Sequence, residues 1–109
     1  MTDTTSTKRG AARTPPLAAM SDVFKQLSDQ SRLAVLHALW EKPLFVNQIC
    51  QKTGLSQPNV SHHLAQLKSM GLLRAEKQGQ KVLYSIADSH MFSILTECRE
   101  HVEQGVRLD

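Results

Sequence analysis

The side chains best placed for recognition chemistry lie between residues 57 and 68. Gln57, Asn59, Ser61, His62, Gln66 and Lys68 offer amide, hydroxyl, imidazole and ammonium groups, and none is acidic. Together they can donate and accept hydrogen bonds, which is what reading base edges in the major groove requires. Between them Val60, Leu64, Leu67 and Met70 recur at helical spacing. Ser56 stands ahead of the run as an N-cap type whose hydroxyl can accept a free backbone N–H. Pro58 falls in the first turn, where its missing N–H costs little. Gly71 occupies the expected C-cap position. The stretch from Lys52 to Leu73, KTGLSQPNVSHHLAQLKSMGLL, therefore predicts a short helix with one apolar face and one donor–acceptor face. Such a helix either packs its back on a small core and enters a DNA groove, or is an ordinary amphipathic surface helix. Its neighbours decide.

Thr53-Gly54-Leu55 reads as a tight turn into this helix, and Asn47 to Lys52 as a third short helix with Ile49 facing inward. Helix, short glycine-containing turn and helix make a helix-turn-helix pattern. Further upstream, Leu17, Met20, Val23, Phe24 and Leu27 give a first helix over Leu17 to Leu27 one apolar face. Ser28-Asp29 breaks it and opens a second helix to about Trp40, with Arg32 near its start and Leu33, Leu36, Leu39 and Trp40 inward. Pro43 interrupts, and Leu44-Phe45-Val46 is short, apolar and suited to extended chain. Downstream, Leu72 to Lys77 and Lys81 to Ile86 predict two strands joined at Gln78-Gly79-Gln80, where glycine supplies a positive φ. The hairpin tip carries Lys77, Gln78, Gln80 and Lys81; it either reaches the neighbouring minor groove or phosphates, or is merely solvated. Asp88 opens a last helix running to about Gln104, with Gly105 ending it. In that helix Met91, Leu95, Cys98 and Val102, flanked by Ile94, form an apolar seam that packs on the core or on a second copy. A DNA reader of this size needs two copies to cover two half-sites, so the expectation is a homodimer through the first and last helices. The expected fold is mainly α with a β-hairpin wing, a winged helix-turn-helix in the order α-α-α-α-β-β-α.

The 109 residues fit one domain, and 40% hydrophobic content supports a modest core. At 5% aromatic residues the chain lacks stacking platforms for single-stranded nucleic acid. A net charge of +3 and a pI near 9.1 suit a polyanionic partner. No apolar run approaches the roughly 20 residues that span a bilayer, so no membrane partner is expected. The N-terminus lacks an apolar signal region, and two distant cysteines without CxxC spacing do not form a disulfide framework. The expected compartment is the cytoplasm. Residues 1–16 are polar, carry Lys8, Arg9 and Arg13, and read as a disordered tail. The DNA-binding and dimerisation domain is expected over 17–105 and a short C-terminal tail over 106–109. No glycine-rich phosphate loop, nucleophile elbow or HExxH motif points to an enzyme.

LSDQSRLAVLHAL, GLSQPNVSHHLAQLKSMGLL and KQGQKVLYSI closely resemble the ArsR/SmtB family of winged-helix metalloregulatory repressors. The resemblance runs from about Met20 to Gln104. Its most specific part is the run Ser56, Gln57, Val60, Ser61, His63 and Leu64, followed by a QG-type wing and Tyr84 near its end. It implies a dimer on double-stranded operator DNA, released when an inducer binds. Gln57, Ser61 and His62 are the implied groove contacts, with Asn59 and His63 as further candidates. His63 also borders the apolar stripe, where a structural hydrogen bond is an equal alternative. Lys68, Lys77, Gln80 and Lys81 would reach phosphates or the neighbouring groove.

The resemblance also frames the inducer. The family's thiolate site on the third helix corresponds to Leu44 through Ile49, where Phe45 and Asn47 replace the cysteines, so that site is not expected. Its interfacial zinc or cobalt site on the last helix corresponds to Asp88, His90, His101 and Gln104, with a carboxylate and a histidine from one protomer and the other ligands from its partner. Gln104 departs from the usual histidine or glutamate, and Glu103 or Glu97 could substitute. The implied effector is Zn²⁺, with Co²⁺ or Ni²⁺ as alternatives. The bland alternative is that Asp88 is only an N-cap and the histidines are surface residues. The family's relay would run from His101 to a main-chain carbonyl around Gly71. A rival thiol sensor would use Cys50 and Cys98, although Cys98 lies in the apolar seam, where a buried thiol is inert.

Overall fold

The computed structural model describes residues 13–105. The helices are α1 (Leu17–Leu27), α2 (Gln30–Ala38), α3 (Val46–Thr53), α4 (Gln57–Ser69) and α5 (Ser89–Glu103). The strands are β1 (Leu44–Phe45), between α2 and α3, and β2 (Leu73–Gln78) and β3 (Lys81–Ile86), between α4 and α5. The tails expected over 1–16 and 106–109 lie, apart from residues 13–16, outside the described residues.

The helices begin where the sequence supplies caps. Asp29 accepts the Arg32 backbone N–H at 3.0 Å, Ser56 the Asn59 N–H at 3.3 Å and Asp88 the Met91 N–H at 3.0 Å. At α3, which lacks a capping side chain, Gln48 reaches back to accept the Phe45 N–H at 2.9 Å. Helix α4 ends in a Schellman motif: the Gly71 N–H donates to the Lys68 carbonyl (2.9 Å) and the Leu72 N–H to that of Leu67 (3.0 Å). Gly71 has φ +77°, the left-handed conformation this ending needs. Leu72 and Leu67 are both buried in the core, and the motif sends the chain directly into β2.

The core gathers one apolar stripe from each element. Val35, Leu36, Ala38 and Leu39 come from α2 and the residue after it, Leu44 from β1, and Ile49 from α3. Val60, Leu64 and Leu67 line the back of α4, with Leu72 and Leu73 beneath the wing and Met91 and Leu95 on α5. Trp40 sits edge-on to both His37 (5.3 Å) and Phe92 (5.7 Å), which ties α5 to the end of α2.

The structure extends one local expectation and corrects two. Leu44–Phe45 is a strand, pairing Leu44 with Tyr84 and Phe45 with Leu83, so the sheet has three antiparallel strands in the order β1-β3-β2 rather than a hairpin alone. A two-residue strand is too short for a period, and only the free edge of β3 determines it. In α2, Leu33 is 38% exposed and Val35 is fully buried, because the helix presents residues 35, 36 and 39 to the core. The α5 seam also splits. Met91 and Leu95 are buried, whereas Cys98 is exposed and Val102 is 59% exposed, because the C-terminal half of the helix runs past the core.

Candidate nucleic-acid interface

Helix α4 is held from behind and open in front. Val60, Leu64 and Leu67 are buried in the core, while Gln57, Asn59, Ser61, His62 and Lys68 are exposed. The N-terminal half of the exposed face therefore carries donors and acceptors on a rigid support. The helix holds no carboxylate, and its N-terminal dipole end favours an anion such as phosphate.

Two members of the polar set lie differently. Gln66 is half-buried, and its Oε1 accepts from Arg32 Nη1 at 2.9 Å, so this amide faces α2. His63 is half-buried with Nδ1 enclosed and lacking a hydrogen-bond partner among the described residues. Burial pushes the His63 pKa below the ordinary value; nearby Asp29 opposes the shift and Arg32 adds to it. The Arg32 backbone N–H holds the Asp29 carboxyl below its usual value.

The wing runs from the Leu73–Ile86 pair to the Gln78–Lys81 pair and closes on Gly79 and Gln80. Lys77, Gln80 and Lys81 are exposed, which places two cations at the tip. The Lys81 ammonium lies 5.3 Å from the Phe45 ring centre, so its stem leans on β1. Arg74 Nη2 donates to the Ala87 carbonyl at 3.0 Å, and the Ala87 N–H to that of Leu72 at 3.0 Å, which fastens the wing base to the approach to α5.

On α5 the sequence-predicted ligand residues fall at the two ends. His90 and His101 are both exposed, in the first and last turns. Eleven residues make about three turns, so both histidines share one face roughly 16 Å apart. One ion cannot bridge them within a protomer, and among the described residues no three His, Cys, Asp or Glu side chains cluster to hold a metal. Asp88 Oδ1 is engaged as the N-cap, leaving Oδ2 without that duty. Gln104 is the exposed C-cap, Glu103 is tied to Arg99 at 2.9 Å, and Glu97 is exposed. No hydrogen bond joins His101 to Gly71 among the described residues of this single chain. Cys50 is half-buried against the core.

Sequence reasoning placed Gln66 with the outward polar set and saw Arg32 only as a residue near a helix start. Their contact spans 34 positions, and no local pattern signals it.

The model of the bacterial regulatory protein arsR family matches residues 29–75, from the cap of α2 through α4 into β2. The chain is 30% identical to the HTH-type transcriptional regulator KmtR of Mycobacterium tuberculosis over 88 residues, covering 78% of this chain and 68% of that protein. It is 33% identical to the HTH-type transcriptional regulator NmtR of the same organism over 86 residues, covering 79% and 72%. Among solved structures, it resembles a homodimeric winged helix-turn-helix DNA-binding domain from Mycobacterium bovis with a TM-score of 0.75 and 26% identity, covering 91% of this chain and 99% of that one. Reduced HlyU from Vibrio cholerae gives 0.71 and 26%, covering 77% and 88%. With the supported polar helix, the wing and these relatives together, the chain belongs to the ArsR family and is a DNA-binding transcriptional regulator rather than an enzyme.

Proposed function

We propose that the protein is a homodimeric, cytoplasmic repressor that reads its operator with α4 and releases it when a divalent transition metal binds between the two α5 helices. The observation that carries the reading is α4 itself: a core-anchored helix whose Gln57, Asn59, Ser61 and His62 side chains are exposed and make no hydrogen bond among the described residues. Gln57, Ser61 and His62 contact base edges, with Asn59 beside them and His63 contributing mainly to packing. Lys68, Lys77 and Lys81 neutralise phosphates, and Gln80 reaches the flanking groove. Among the described residues no helix is long and apolar enough to cross a membrane.

The dimer reading rests on apolar surface that the protomer leaves uncovered. Leu17, Met20 and Phe24 on α1 and Ile94 and Val102 on α5 are all exposed, and α1 buries none of its residues. Exposed apolar surface on two helices marks an association face, and a second copy presents two recognition helices for two half-sites.

The donor set fits a metal as two half-sites. Asp88 and His90 stand at one end of α5 and His101 and Gln104 at the other, so an antiparallel pair of α5 helices brings His90 of one protomer to His101 of the partner subunit. Imidazole and carboxylate suit Zn²⁺, Co²⁺ or Ni²⁺; a neutral amide is a poor fourth donor, and Glu97, free of the ion pair that occupies Glu103, is the better substitute. When bound, the ion supplies a cross-link between protomers that favours one dimer arrangement. His101, through its second ring nitrogen, would report that arrangement to the end of α4 at Gly71. The exposed Cys98 thiol supports a second reading, an oxidant-responsive repressor using Cys50 and Cys98; operator release by oxidant, lost in Cys98→Ser, would establish it.

The test uses an operator duplex selected by the purified protein from a random-sequence pool. Zinc should bind at one ion per protomer and weaken operator affinity by roughly 5- to 150-fold, the usual range of allosteric coupling. His101→Ala should bind the operator normally and lose the zinc response. Zinc-driven release in that variant would refute the assignment, as would a zinc response undiminished by acid, because imidazole ligates a metal only in its neutral form.

A further inference from the structure

Three elements meet at Arg32. Its backbone N–H is held by Asp29 at 3.0 Å, which fixes the start of α2. Its Nε donates to the carbonyl of Gln26, on α1, at 2.8 Å. Its Nη1 donates to Oε1 of Gln66, on α4, at 2.9 Å. The guanidinium is half-buried, so these bonds lie where solvent competes weakly. His63, one turn before Gln66, is close to both Asp29 and Arg32. The joint between the α1–α2 corner and α4 is thus polar and directional, whereas the rest of the α4 support is apolar packing of Val60, Leu64 and Leu67.

Apolar packing resists separation of two elements but constrains rotation and sliding weakly. A planar guanidinium with two fixed donor directions constrains both. Helix α1, which provides one end of this joint, carries exposed apolar residues and no buried ones.

We propose that Arg32 is a positioning residue for DNA reading: by bridging Gln26 of α1 and Gln66 of α4, it sets the angle at which the recognition helix is presented and couples it to the element that carries the exposed apolar face. This rests on α4 being the reading helix. Gln66 is then an internal strut rather than a base contact, although it lies on the polar side of the helix.

Operator and non-specific duplex affinities, dimerisation and thermal stability are to be measured for Arg32→Met, Gln66→Ala, the double variant and Gln66→Glu. Either single change should weaken operator binding roughly tenfold, the size of one lost charge-assisted bond, while non-specific affinity and its salt dependence stay unchanged. The double variant should be no worse than either single one, because both remove the same bridge. Gln66→Glu keeps an acceptor for the guanidinium and should remain within about twofold of wild type; a carboxylate in contact with DNA would instead cost at least as much as alanine. Additive losses, or a Gln66→Glu variant as weak as Gln66→Ala, would overturn the proposal. Parallel loss of operator and non-specific binding in a variant that stays folded would also overturn it, because a changed presentation angle leaves phosphate binding intact. If Arg32→Met does not fold, the contrast between Gln66→Ala and Gln66→Glu decides alone. Ser61→Ala and His62→Ala belong in the same assay: if both leave operator affinity intact, the assignment of α4 fails, which is distinct from failure of the bridge.

Discussion

Replacing Gly71 by alanine should destabilise the protein although the new methyl group touches nothing. A Cβ built at Gly71 meets no atom within 4 Å, so packing contributes no penalty. The cost arises from the backbone, since φ is +77° and the left-handed region costs a Cβ-bearing residue about 1–2 kcal/mol. Alanine also restricts the unfolded chain, which offsets about 0.4–1 kcal/mol of that. With mid-range values for both, the net loss should be about 0.8 kcal/mol. For a domain of this size, each kcal/mol corresponds to a Tm decrease of about 4–8 °C. Asparagine tolerates the left-handed region better, so Gly71→Asn should lose less than Gly71→Ala. Urea unfolding at fixed protein concentration, so that dimer dissociation enters equally, gives the three stabilities. A Gly71→Ala variant as stable as wild type, or more stable than Gly71→Asn, would refute the left-handed ending of α4 and with it the route by which the recognition helix hands the chain to the wing.

Other perturbations probe other parts of the molecule. Ser56→Ala should cost about 1 kcal/mol in urea unfolding, because the hydroxyl that accepts the Asn59 N–H is lost at the start of α4; no loss would mean solvent replaces the cap at no cost. Because burial lowers the His63 pKa, the folded protein binds fewer protons than the unfolded chain at pH values just below the ordinary 6.5. Stability should therefore fall as pH drops from 6.5 through the folded pKa, and His63→Leu should lessen that fall; equal pH dependence in the two proteins would contradict it. Lys77→Ala and Lys81→Ala should each reduce the slope of log affinity against log salt by roughly 0.9, one phosphate contact apiece, and an unchanged slope would remove the wing from the interface.

Much of this structure was legible because the relevant signals are local. The cap residues Asp29, Ser56 and Asp88 and the Gly71 ending bracket helices whose apolar spacing is regular, and the change from period 3.6 to period 2 after Leu72 marks the wing. The polar face of α4 was readable for the same reason. What escaped depends on contacts distant in sequence. The β1 strand exists only because β3 offers an edge, and the Arg32–Gln66 bond spans two helices. The inward face of α2 was misjudged at Leu33 because a short helix rich in leucine and alanine has apolar residues on more than one side. At α5, spacing predicted the apolar seam, but it could not divide that seam into a buried and an exposed half, since that depends on where the core ends.

The central claim is that the exposed face of α4 reads sequence. The side chains of Gln57, Ser61 and His62 are exposed and make no hydrogen bond among the described residues, so all three can be changed to alanine together without unfolding the helix. The decisive measurement is the ratio of operator to non-specific duplex affinity in this triple variant, at one fixed salt concentration. A ratio that collapses toward one while non-specific binding persists is the expected result; a ratio equal to that of wild type would show that the protein reads its operator with some other surface.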